Sequence, residues 1–200
     1  MTTPKTIDQA LRGELVVRAR RARDLHAKLL NAGKLGPGYH PEQEALDAAN
    51  ADWLASTLAA RGWPKRSEVG DDGAAAAVQL LQRAMGRPAV QRQGLELLMQ
   101  AAEQGEASMI DAGHFADRIA VYEGKPQLFG TQLDWGPDGL LAPALMDDAE
   151  TVDQRRRTIG LPPLADLMAE AREAAVGGPP ADLAERRAAF EDWAKKVGWR

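Results

Sequence analysis

Along the first stretch of the chain, apolar residues recur at Ile7, Leu11, Leu15, Ala22, Leu25 and Leu29, in steps of three, four and seven. That period puts one face of a long helix, Thr6 to Asn31, against a core. Gly33 and the turn Gly36-Pro37-Gly38 stop it. Pro41 suits the first turn of a second helix reaching about Arg61. Its predicted inner stripe is Ala45, Ala49, Trp53, Leu54 and Leu58, with Asn50 as a polar residue within one turn of that stripe. Gly62-Trp63-Pro64 ends the helix, because proline restricts the residue before it and donates no backbone bond. Lys65–Gly70 reads as a loop, and Asp71 or Asp72 as the N-cap of an alanine-rich helix over Ala74–Met85. Gly86-Arg87-Pro88 turns into a fourth helix, Ala89–Gln104, with Val90, Leu97, Leu98 and Ala101 inward, and Gly105 closes it. Ser108-Met109-Ile110-Asp111 has capping-box spacing, so a fifth helix starts there and reaches Asp117 or slightly further.

The pattern then changes. Ile119-Ala120-Val121-Tyr122 and Leu128-Phe129-Gly130-Thr131 are short β-prone pieces around Glu123-Gly124-Lys125-Pro126. Together they predict an antiparallel hairpin near 118–133, with Pro126 confining it to an edge or a longer loop. Asp134 to Pro143 reads as loop, with one more strand near Leu140-Leu141. Helical spacing returns over Asp148–Ile159 and Pro163–Ala175. Gly177-Gly178-Pro179-Pro180 is a linker to a last amphipathic helix, Asp182–Val197, with Leu183, Phe190, Trp193 and Ala194 on one side. The expected architecture is mainly α: about seven helices in a compact bundle with a small hairpin insertion. One domain would span 1–175, and 176–200 would pack on it or on a partner.

Composition narrows the function classes. The chain has no cysteine, which removes disulfides, thiolate metal sites and a cysteine nucleophile together. A net charge of −4 makes no electrostatic case for nucleic acid, which needs a clustered basic face. No apolar run approaches the roughly 20 residues of a membrane span. Met1-Thr2-Thr3-Pro4-Lys5 leads into charged helix without the apolar core of a signal peptide, so a cytoplasmic location is expected. Phosphate loops, dinucleotide-binding glycine patterns, nucleophile elbows and paired metal-binding histidines do not occur, so no cofactor and no metal are expected.

Several ordered pieces carry a resemblance. They are Asp47-x-x-Asn50, Gly62-Trp63-Pro64-x-x-Ser67-x-Val69-Gly70, Pro88-x-x-Gln91, Gly105-Glu106-Ala107-Ser108 and Asp117-Arg118-Ile119. Gly124-Lys125-Pro126-Gln127-x-x-Gly130-Thr131-Gln132, Val152-Asp153-x-Arg155-Arg156 and Gly160-Leu161-Pro162-Pro163-Leu164 continue them. Over about 47–167 the chain resembles an uncharacterised bacterial family, one of the numbered domains of unknown function. The resemblance implies no activity. It does imply one departure: where relatives tend to read Gln-His-Ala-Asp, this chain reads Gln82-Arg83-Ala84-Met85. An acid–base or metal-binding pair in relatives would be missing here.

The chemically richest run is Asp117 to Gln132. His114 lies one helical turn before Asp117 and reads either as a general base or as a hydrogen-bonded helix-end residue. Arg118 could grip a carboxylate or phosphate while Asp117 orients an amine or water; equally, both could tie helix to hairpin. Gln127, Thr131 and Gln132 would complete a polar lining, with Trp63, Tyr122 and Phe129 as apolar wall and Ser67 beside Trp63. A small polar ligand in that cleft is the leading expectation. Any chemistry there would be a hydrolytic, isomerising or cyclising step that needs no cofactor. Arg155-Arg156-Arg157 reads as an anion site or, more simply, as partners of neighbouring acids. The rival expectation is a non-catalytic interaction protein, docking a partner or a second copy through the C-terminal helix with Trp193 and Trp199.

Overall fold

The computed structural model describes residues 6–36, 38–175 and 177–200. Met1-Thr2-Thr3-Pro4-Lys5, the expected run into the first helix, and Pro37 of the expected turn lie outside the described residues. The elements in chain order are α1 (Gln9–Asn31), α2 (Pro41–Arg61), α3 (Arg66–Arg83), α4 (Pro88–Glu103), α5 (Met109–Tyr122), β1 (Leu133–Trp135), β2 (Leu141–Pro143), α6 (Val152–Thr158), α7 (Leu164–Ala174) and α8 (Leu183–Val197). The fold is mainly helical with one two-stranded antiparallel hairpin. Packing divides the chain into two units, Met1–Ser108 and Met109–Arg200. None of the described helices is long and apolar enough to cross a membrane.

In the first unit α1 lies mainly along α3, while α2 touches α1, α3 and α4. Asp8 caps α1, its carboxylate accepting from the Leu11 amide at 3.0 Å. Leu11, Leu15, Ala19, Ala22 and Leu29 then face inward as the periodicity requires. The third helix departs from expectation. It begins at Arg66, so Lys65–Gly70 is largely helical rather than loop, and Gly70 (φ 72°, ψ 174°) kinks it. Only glycine holds that backbone without strain, and this lets a short first segment join the alanine-rich one. The expected N-caps act otherwise: Asp72 pairs with Arg12 at 2.7 Å and Asp71 with Arg66 at 3.3 Å. Where α4 meets α3, a Cβ on Gly94 would collide with the Leu81 side chain. Gln91 donates from Nε2 to the Leu81 carbonyl at 2.7 Å, satisfying the end of α3.

The inward face of α2 also differs from the predicted stripe. Ala45 and Ala49 are exposed and Trp53 is half-buried. The buried positions are Gln43, Asp47, Asn50, Ala51, Leu54 and Leu58. The helical period is intact, but its first half is filled by polar residues. Which side of a helix is buried depends on what it packs against, and here polar partners await it.

In the second unit α5 continues through Ile119-Ala120-Val121-Tyr122, so the first expected strand is helix. Ile119 is buried, and the Tyr122 ring packs against Phe190, Trp193 and Trp199 at centroid distances of 5.8, 5.9 and 5.1 Å. Those aromatic contacts hold the last turn of α5 against the β propensity of Ile119 and Val121. Arg200 completes the stop by donating to the carbonyls of Val121 at 2.8 Å and Tyr122 at 3.0 Å. The hairpin is therefore not at 118–133 but later in the chain. Leu133 pairs with Pro143, Asp134 with Ala142 and Trp135 with Leu141. The proline at Pro126 and the positive φ of Gly130 leave the earlier segment irregular. Helix α7 packs on β2 and α6.

Candidate functional site

The run after Asp117 folds into a closed network inside the second unit. Asp117 is completely buried. Its Oδ1 accepts from the amides of Leu128 at 2.9 Å and Phe129 at 3.1 Å. Its Oδ2 accepts from the Thr131 amide at 2.9 Å and the Thr131 hydroxyl at 3.0 Å. Gln127, also completely buried, accepts at Oε1 from the Gln132 amide at 2.7 Å. From Nε2 it donates to the carbonyls of Gln132 at 2.9 Å and Ala144 at 3.1 Å. The loop's carbonyls are met from the other side. Arg155 donates to Leu128 O at 2.6 Å, and the buried Arg156 to Phe129 O at 2.6 Å and Pro162 O at 2.6 Å. One carboxylate collects the amides of an irregular loop while two guanidiniums collect its carbonyls. That is how buried backbone outside regular structure is satisfied.

The remaining sequence candidates are distributed as follows. Tyr122 belongs to the aromatic cluster with α8, and Phe129 lies against Gly113. The Gln132 amide donates to the Thr131 hydroxyl at 3.1 Å. His114 and Arg118 are half-buried one turn apart on α5. Burial pushes the His114 imidazole below its ordinary pKa, against the pull of Asp117 and Asp111. Trp63 and Ser67 belong to the first unit: Trp63 is buried, and the Ser67 amide donates to Glu106 at 2.9 Å. His26 is exposed, and His40 caps α2, accepting from the Glu42 amide at 3.3 Å. On α8, Phe190 and Trp193 pack on Tyr122, and Trp199 is buried. Among the described residues no three His, Asp or Glu side chains converge as a metal would need.

A second polar group contains Asp47, Asn50 and Arg83, which sequence reading noted separately without bringing them together. It is the polar half of α2's buried face. Asp47 is only 3% exposed and accepts at Oδ2 from the Tyr39 hydroxyl at 2.5 Å and from Gln43 Nε2 at 2.9 Å. Arg83, near the end of α3, brings Nε to 3.3 Å from Asp47 Oδ1 and donates from its terminal nitrogen to the Ala22 carbonyl at 3.1 Å. Asn50 accepts from Arg18 at 3.3 Å, and the Arg18 guanidinium lies 4.6 Å over the Trp53 ring. Gln43 Oε1, Asp47 Oδ1, Asn50 Nδ2 and Arg83 Nε are buried without a hydrogen bond. Burial and the Asp47 carboxylate both hold the Tyr39 phenol protonated, well above its usual range. A crevice opens beside these groups between Tyr39, α2 and the α3–α4 turn, with Glu44, Asp47, Ala48, Arg83 and Arg87 on its walls. It has about 20 Å³ of free space, room for about one water-sized group. The available signal was the i, i+4, i+7 spacing of Gln43, Asp47 and Asn50, a helical stripe written in polar letters.

A family model described as a family of unknown function (DUF6624) matches residues 10–178. The chain belongs to that family. No curated protein and no solved structure matches it. The DUF6624 match takes in α1, which the resemblance over 47–167 did not reach, and it ends before α8. Both polar groups lie within it. Asp47-x-x-Asn50 contributes two residues to the α2 face, and Gly124 to Gln132 contributes Gln127, Thr131 and Gln132 to the Asp117 network. Arg83 is the residue that meets Asp47.

Proposed function

We propose that this protein binds a small polar molecule, and that the crevice beside Asp47 and Arg83 is where it binds. The observation that carries this reading is that two residues lining the crevice, Asp47 and Arg83, have buried atoms, Oδ1 and Nε, that make no hydrogen bond and meet only each other at 3.3 Å. An unsatisfied buried donor or acceptor costs about 1–3 kcal/mol, so the two together argue for a missing partner. The sequence reading put such a ligand beside Arg118, Gln127 and Gln132. What favours the crevice over that location is that Asp117, Gln127 and Thr131 spend their hydrogen-bonding capacity on the loop itself.

A thermal-shift screen with amino acids, amines, nucleotides and sugars tests this. It is run on the wild type, Ala48→Met, which fills the crevice, and Arg118→Ala. A compound that raises the wild-type Tm, loses its effect in Ala48→Met and keeps it in Arg118→Ala supports the reading. Loss in Arg118→Ala alone moves the site to the second unit, and silence from every compound removes the binding reading.

A further inference from the structure

The charges around the crevice are not balanced. Arg83 faces Asp47, and Arg87 is held by Asp52 through contacts of 2.9 and 3.4 Å. Both wall arginines thus have a carboxylate of their own. Glu44 is a half-buried wall residue, and the charge its carboxylate faces is that of Arg87, which Asp52 already holds. Beside it, Asp47 Oδ1 is buried and lacks a hydrogen bond, meeting only the Arg83 Nε at 3.3 Å. The Tyr39 hydroxyl donates to Asp47, which leaves its oxygen free to accept. The crevice wall therefore carries three acceptors, and the carboxylates of Glu44, Asp47 and Asp52 around it outnumber the guanidiniums of Arg83 and Arg87.

Resting on the binding reading above, we infer that the crevice receives the ammonium group of a small primary amine. An –NH₃⁺ group has three donors and the size of a water, which matches both the acceptor set and the free space. An anion would add to that excess of negative charge, and a neutral amide would leave it unmatched beside a buried acceptor.

The test is a titration of the full-length ¹⁵N-labelled protein at constant ionic strength with methylammonium, acetamide and acetate, followed by amide chemical shifts. Methylammonium should move the amides of Glu44, Ala48 and Gly86 with a Kd no tighter than roughly 10 mM, the limit for a ligand of two heavy atoms. Glu44→Gln should weaken that binding about tenfold with the rest of the spectrum unchanged. If acetate or acetamide moves those amides and methylammonium does not, the ammonium assignment falls while the crevice stands as a site. If none of the three moves them, the crevice holds only water and both readings fall. Equal binding by wild type and Glu44→Gln also overturns the assignment.

Discussion

Asp47 on α2 and Arg83 on α3 face each other across 3.3 Å in the interior of the first unit, the acid 3% and the base 24% exposed. They join two helices through a polar contact where a helical core would ordinarily place leucine. Removing one member leaves the other buried and uncompensated, together with the Tyr39 hydroxyl and Gln43 amide that Asp47 accepts from. Asp47→Ala should therefore destabilise the protein by about 3 kcal/mol in denaturant titration. Asp47→Leu combined with Arg83→Met should lose clearly less than the two single changes summed. An additive double-mutant cycle would show that the pair is not coupled.

Asp117 serves the second unit in a similar way, with backbone amides as its partners. Asp117→Ala strips the acceptors from the amides of Leu128, Phe129 and Thr131. The expected loss is about 3 kcal/mol or more, with hydrogen-exchange protection lost first at those three amides. Unchanged protection there would contradict the role assigned to the carboxylate.

Much of this architecture can be read from the sequence where local and global preferences agree. The α1 periodicity, Pro41 and Pro88 at helix starts and Gly62 after α2 all sit where the physics of helix ends puts them. The misreadings share a cause. Ile119 and Val121 favour a strand locally, but the surroundings of Tyr122 are built by Phe190, Trp193 and Trp199, far along the chain, and these contacts outweigh local propensity. Gly70 reads as the end of a loop, yet its positive φ joins two helical pieces. On α2 the expected stripe holds at Leu54 and Leu58 and fails at Ala45, Ala49 and Trp53. Only the partner helix, with Arg83, makes a stripe of Gln43, Asp47 and Asn50 able to be buried. For the same reason Asp117 and Gln127 were legible as chemically capable residues but not as loop anchors, since their partners are backbone groups that a sequence does not display.

Two glycines on helices give predictions of opposite sign. Gly94→Ala drives a methyl into the Leu81 side chain at the α3–α4 contact and should destabilise by about 1–3 kcal/mol. Gly13→Ala on the exposed side of α1 meets nothing and should stabilise by about 0.5–1 kcal/mol through helix propensity. Thermal denaturation of both variants decides; a stabilising Gly94→Ala would mean that the helices are not in close approach.

His114 gives a pH dependence. Burial lowers its pKa below the ordinary imidazole value of 6.5, so the unfolded chain binds the proton more readily than the native one in the window beneath that value. Stability from this group is present above pH 6.5 and is lost as pH falls through that window. Denaturation curves on the wild type should show stability rising with pH there, and His114→Gln should flatten the slope. A slope of the opposite sign would mean that the imidazolium is the favoured native form.

The polar crevice is best tested by an atomic-resolution crystal structure of the protein as purified, with attention to Asp47 Oδ1, Arg83 Nε and the Glu44 carboxylate. The expected result is non-protein density in the crevice, within hydrogen-bonding distance of Asp47 Oδ1 and Glu44. The contradicting result is a crevice closed by Arg83 swinging fully onto Asp47, with every polar atom on α2's buried face satisfied by the protein itself.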